Sequence, residues 1–163
     1  MPQRGFAQFV EVRVSPELAW AACTEEPWLR RWYAREAHVD PRSGGAFRVR
    51  TLDGRVRDAT VDVWDPGRRL RLIYFPDREM LPLLGDGDGP LSEDLLFDTK
   101  PGRTVVRVFG SGIPDAREWD AYYQKLRLGW AYWLNALKRV LEPGAGDAPA
   151  ATTPASPASR RKA

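Results

Sequence analysis

The chain has 163 residues, 43% of them hydrophobic, with seven Trp, fourteen Gly, fourteen Pro, a single Cys and a formal net charge of +3. That length suits one domain, the lone Cys23 excludes an intramolecular disulfide and points to a reducing compartment, and no apolar run is long enough to span a bilayer. The charge does not mark a nucleic-acid binder, because Arg160, Arg161 and Lys162 lie beyond Glu142 against one acid, Asp147, leaving 22 basic and 21 acidic residues in the body.

Phe6 to Val14 alternates as a first strand, with Phe6, Gln8, Val10, Val12 and Val14 on one face. Ser15-Pro16-Glu17 then opens a short helix, Ser15 serving as N-cap and Pro16 as its first helical residue. Thr24-Glu25-Glu26-Pro27 starts a second helix, which carries Trp28 and Trp32 on one side. After the turn residues Asp40 to Gly45 comes a strand over Ala46–Leu52. The Asp53-Gly54 hairpin signal follows, then a strand over Arg55–Trp64. Asp65-Pro66-Gly67 turns into a strand over Arg69–Phe75.

Pro76 to Ser92 breaks the alternation with an apolar clump, Met80 to Leu84, and a Gly/Asp run; a loop of this length in a small domain suggests a lid or binding loop. Strands resume over Glu93–Asp98 and Arg103–Phe109, and Gly110 to Pro114 leads on. The last element is the longest. From Asp115 to Glu142, large apolar residues recur at Trp119, Tyr122, Leu126, Trp130, Trp133, Leu137 and Val140 in steps of three and four, one face of a helix. Asp115 and Glu118 have capping-box spacing, and Pro143-Gly144 stops the helix. Gly129 falls on or beside the apolar stripe. The expected fold is α+β: strand, two short helices, five more strands and a long C-terminal helix, with a curved antiparallel sheet wrapped around that helix and a domain over 1–142. The Ala/Pro/Ser-rich tail, 143–163, has little to bury and is expected to be disordered.

In this order the chain resembles a known family. Val14 to Trp20, Trp28 to Trp32, Gly44 to Phe47, Asp53-Gly54, Trp64 to Leu70, Gly102 to Thr104, Ser111-Gly112 and Gly129-Trp130 are similar in sequence and spacing to the SRPBCC (START-like) superfamily. They lie nearest its branch named after the activator of the heat-shock-protein-90 ATPase. The resemblance covers about residues 6 to 142. It implies a helix-grip fold with a cavity between sheet and helix, and roles that range over hydrophobic-ligand binding, polyketide cyclisation and co-chaperone activity. The chain departs from the family pattern at Gly110, where a polar residue is common, and in the length of Met80 to Pro90.

The residues themselves offer no catalytic constellation. His38 and Cys23 stand alone as soft metal ligands, Ser111 has no recognisable base, and the glycine-rich stretches lack the nucleotide fingerprint. No catalytic residue, metal or cofactor is therefore assigned. Asp58, Asp62, Asp94 and Asp98 alternate with apolar neighbours and are placed on the solvent face. The expected function is binding of an apolar or aromatic small molecule in a bacterial, cytoplasmic protein. Its walls are expected from Phe47, Val61, Tyr74, Phe97, Val108, Tyr122, Gly129, Trp130 and Trp133, with Met80 to Leu84 over the mouth and Gly110 and Gly129 supplying room. The alternatives are a chaperone co-factor-like partner-binding module and a cyclase-type enzyme using the same cavity.

Overall fold

A sheet of seven antiparallel strands holds the chain together. The computed structural model describes residues 2–85 and 88–143; the tail read as disordered lies, from residue 144 on, outside them. The strands are β1 (Gln3–Val12), β2 (Ala34–Val39), β3 (Ala46–Thr51), β4 (Val56–Asp65), β5 (Arg69–Tyr74), β6 (Ser92–Lys100) and β7 (Arg103–Pro114). Their spatial order is β1-β7-β6-β5-β4-β3-β2. Two short helices, α1 (Pro16–Thr24) and α2 (Glu26–Trp32), follow β1, and α3 (Asp120–Leu141) closes the fold. This is the helix-grip arrangement. Its core is one cluster between the inner face of the sheet and the three helices.

Local chemistry accounts for most boundaries. Ser15 Oγ accepts a hydrogen bond from Leu18 N at 3.2 Å and Pro16 starts α1, which satisfies an otherwise orphaned donor. Gly54, at φ +93, makes the β3–β4 turn, a left-handed conformation that side chains resist. Consecutive strands pair antiparallel through β6 and β7, and β1 returns beside β7.

Three expectations need correction. Six strands follow the helices, where five were expected: Ala34–Val39 is a strand, paired with β3, but a register shift between Ala34 and Glu36 breaks the alternation that would have revealed it. Asp115 is not a helix cap. β7 runs on to Pro114, a 3₁₀ turn spans Arg117–Trp119, and α3 begins at Asp120 with no side-chain cap. Asp115 instead donates its backbone N–H to Pro2 O at 2.9 Å, which ties the two ends of the β1–β7 pair together. Asp94 lies on the outer face as expected but is only half solvated, because Arg69 and Arg71 both donate to its carboxylate, at 2.8 and 2.6 Å.

Gly110 also differs from its expected role. It lies on β7 opposite Phe6, and an added Cβ would sit 2.8 Å from Phe6 Cδ2 and closer still to other ring atoms. The glycine makes room for the buried Phe6 ring, so its missing bulk is already filled. Gly110→Ala is expected to destabilise the domain by about 1–3 kcal/mol through overpacking, and Phe6→Leu in the same chain to restore part of the loss. Urea unfolding of the two single variants and the double variant measures both.

Candidate functional site

Three neighbouring strands place a charge pair on the inner face, midway across the sheet and toward one end of its strands. On β4, Arg57 is in phase with the buried Ala59 and Val61; on β6, Glu93 is in phase with Leu95 and Phe97. Tyr74 of β5 lies between them. Arg57 reaches across β5 with its guanidinium 4.2 Å from the centre of the Tyr74 ring and donates twice to Glu93, Nη1 to Oε1 at 3.1 Å and Nη2 to Oε2 at 2.8 Å. Arg57 Nη1 also donates to the Tyr33 hydroxyl at 2.8 Å, and Trp130 Nε1 of α3 donates to Glu93 Oε2 at 2.8 Å. Arg57 and Glu93 are respectively 3% and 0% exposed.

Burial alone would lower the Arg57 pKa. That is the largest single influence, but the Glu93 carboxylate together with Tyr33 and Tyr74 outweighs it and holds the guanidinium well above its ordinary value, so Arg57 stays charged. Burial raises the hydroxyls of Tyr33 and Tyr74, opposed by Arg57 and reinforced by Glu93. Around the pair, Tyr33 stacks on Trp130 with ring centres 5.7 Å apart, Tyr33 meets Trp133 edge-on at 4.9 Å, and Trp130 meets Trp133 edge-on at 5.3 Å.

The segment after β5 covers this end of the fold. Asp77 Oδ1 accepts from Glu79 N and Met80 N at 2.9 and 2.8 Å, turning the chain so that Met80 enters the core. Asp77 Oδ2 accepts from the Tyr122 hydroxyl at 3.0 Å. Burial, then the Asp77 charge, pushes that hydroxyl far above its usual range. Lys125 Nζ of α3 donates to Glu79 Oε2 at 2.7 Å, and Arg55 Nη2 lies 3.2 Å from Glu79 and 3.7 Å from Asp77. Outside these contacts is a cleft of about 680 Å³ whose walls include Arg55, Asp77, Glu79, Lys125, Phe75 and Leu81.

Of the residues expected to form the walls, Tyr74, Trp130 and Trp133 meet at the charge pair, and Tyr122 stands between it and the loop. Phe47, Val61 and Val108 are buried elsewhere on the inner face. Phe97 points to the far end, against Trp20 of α1 at 5.4 Å. Gly129 is half-buried on the flank of α3, where an added Cβ would lie nearest the Trp133 ring, at 3.6 Å, and where the chain borders a smaller cleft with Leu52, Arg55 and Tyr132. Met80 is buried, Leu83 and Leu84 are half-buried, and Leu81 is 60% exposed. Sequence reasoning missed Arg57, Glu93 and Tyr33. The signal was present in two of them: Arg57 and Glu93 fall in phase with apolar residues of their strands.

Burial pushes the Cys23 thiol up to about 12, so it is not a thiolate at neutral pH. No three His, Cys, Asp or Glu side chains among the described residues come together as a metal site requires.

The family description "Activator of Hsp90 ATPase homolog 1-like protein" matches residues 13–142, from the end of β1 through α3. The chain belongs to this family. No curated protein sequence matches it. The Activator of Hsp90 ATPase homolog 1-like fold is shared by distant solved structures. The Aha1 dimer from Colwellia psychrerythraea superposes with a TM-score of 0.71 at 20% identity, covering 88% of this chain and 99% of that one. An Hsp90 activator from Plasmodium falciparum gives 0.65 at 19%, covering 82% and 93%. DynU16, from the dynemicin biosynthetic locus, gives 0.71 at 22%, covering 88% of this chain and 49% of its own. At these identities the likeness extends to the fold alone. No helix among the described residues is long and apolar enough to cross a membrane.

Two outcomes follow from the charge pair and its tyrosines. Arg57→Met and Glu93→Leu each strand a buried charge and are expected to cost about 3–5 kcal/mol, while the double variant costs less than the sum of the two; urea unfolding in a double-mutant cycle reads this. The raised tyrosine hydroxyls stabilise the fold fully below the unfolded tyrosine value of about 10. That stability is lost as pH rises beyond it, because the unfolded chain then releases protons the folded chain keeps. The urea midpoint should therefore fall as pH rises beyond about 10.

Proposed function

We propose that this protein binds an apolar or aromatic small molecule between α3 and the sheet, beneath the Met80 segment. The observation that carries this reading is the meeting of Tyr33, Tyr74, Trp130 and Trp133 around the Arg57–Glu93 pair. A core that served only stability would gain as much from apolar residues of the same volume, since each buried ion loses several kcal/mol of hydration. A few oriented polar groups among aromatic walls are instead the composition of a ligand site. The rings touch one another in the closed arrangement, so a ligand enters by moving Met80 and parting the rings. Phe47, Val61, Phe97, Val108 and Gly129 belong to the proposed wall beyond that inner group.

A partner-binding role is the second reading. It is favoured by Phe9 and Phe109, 64% and 41% exposed, which stand on neighbouring strands of the outer face, on the side of the sheet opposite the charge pair.

Titration of 1-anilinonaphthalene-8-sulfonate and of a panel of aromatic compounds, followed by Trp emission, tests the pocket. Saturable binding is expected. It should weaken at least tenfold in Trp133→Ala and shift in affinity when Met80–Leu84 is replaced by a Gly-Ser link. Absence of saturable binding across the panel overturns the reading and leaves the partner role ahead.

A further inference from the structure

The loop that closes the proposed pocket carries its own carboxylates to two cations at the mouth. Asp77 and Glu79 belong to the loop; Arg55 and Lys125 belong to the fixed walls, at the start of β4 and on α3. The Arg55 side chain is 15% exposed, and its guanidinium lies 5.8 Å from the centre of the Tyr122 ring. Its Nη2, although close to both carboxylates, makes no well-aligned hydrogen bond. A planar guanidinium matches a carboxylate best through two parallel bonds, as Arg57, two residues further on in β4, shows with Glu93. Arg55 therefore has electrostatic neighbours without the geometry that would use its donors.

Of the other charges at this mouth, Asp53 and Arg50 have partners, while Asp58 and Arg78, of opposite sign, also line the cleft. Asp53 is taken up by the β3–β4 turn, accepting from Thr51 Oγ1 and Arg55 N. Arg50 faces Glu36 at 3.4 Å. When the loop lifts, Asp77 and Glu79 leave with it, and Arg55 and Lys125 remain beside the apolar groups Leu52, Phe75 and Trp133 at the cleft walls. A cationic pair at the rim of an aromatic interior fits one chemical class: an amphiphile with an apolar tail and an anionic end.

We propose that Arg55 and Lys125 recognise the carboxylate of an apolar or aromatic carboxylic acid, and that Asp77 and Glu79 occupy its place when the loop is closed. This rests on the pocket reading above. Binding is then an exchange of one carboxylate for another: the ligand's acid group takes the two cations, the loop acids go to water, and Tyr122 gives up Asp77.

The test compares 4-phenylbutyrate with 4-phenylbutanol by isothermal titration calorimetry on the full chain, so that the tail is constant and only the charge changes. The acid is expected to bind at least tenfold more tightly. Lys125→Met, at an exposed position that leaves folding undisturbed, should cut that ratio several-fold, and Arg55→Gln should abolish most of it, with Arg55→Lys recovering part. Glu79→Gln should tighten the acid more than the alcohol, because the internal competitor is gone. Equal affinities for acid and alcohol would overturn the proposal while leaving the pocket intact, as would an acid preference unchanged in Lys125→Met. Failure of both compounds and of the aromatic panel to bind would overturn the pocket and this proposal together.

Discussion

The bidentate pair between Arg57 and Glu93 constrains the sheet more than any other contact. It spans three strands, and its two partners are correctly oriented only if the β4–β5 and β5–β6 registers both hold. A slip of one residue on either strand would turn a charged side chain to the other face and leave its partner buried and alone. The register shift in β4 comes between Val61 and Val63, after the segment that presents Arg57, Ala59 and Val61 inward. α3 is fixed to the same point from the opposite side, through Trp130 Nε1 on Glu93. One carboxylate thus sets the register of the sheet and the placement of the helix upon it. The aromatic groups that converge there take their positions from it.

The interior pair and the mouth are adjacent parts of one electrostatic arrangement. Trp133 lies 5.7 Å from the Arg57 guanidinium and also lines the outer cleft beside Arg55. Tyr122 is packed among core residues, yet its hydroxyl reaches the loop at Asp77. Asp77 in turn performs two tasks with two oxygens: one holds the turn that inserts Met80, the other holds Tyr122. Movement of the loop therefore alters the surroundings of Tyr122 directly and those of the charge pair through the rings between them. Coupling of this kind needs no long pathway, only side chains in contact.

Much of this was legible in the chain. Alternation located six of the seven strands, Ser15-Pro16 gave the start of α1, and the stripe from Tyr122 to Leu137 gave the buried face of α3. What escaped had physical reasons. β2 carries a bulge and short or charged side chains, so period two is lost. The start of α3 was displaced because β7 extends through Gly110 and Gly112, residues whose glycine character reads as a turn but here permits close approach to Phe6 and to the Pro90 carbonyl. The charge pair escaped because a charged residue in a strand is ordinarily assigned to the solvent face. The phase of Arg57 with Ala59 and Val61, and of Glu93 with Leu95 and Phe97, contradicts that assignment, but only their pairing, 36 residues apart in sequence, makes burial tolerable.

The strengths of these contacts determine which of them can yield to a ligand. Breaking a buried, doubly hydrogen-bonded pair such as Arg57–Glu93 costs about 3–5 kcal/mol, more than most small molecules could recover from one polar group. Ion pairs open to solvent, such as Lys125–Glu79 with both partners nearly half exposed, contribute about 0–1 kcal/mol and exchange easily. A molecule entering between sheet and helix would thus leave the inner pair intact and lie against its aromatic surround, while the outer pairs part. The inner charges then act as a fixed polar floor that orients whatever lies on it, and the outer ones as the exchangeable contacts. On the proposed reading this division would place orientation in the interior and selection at the rim, within a fold that solved structures share at about one residue in five.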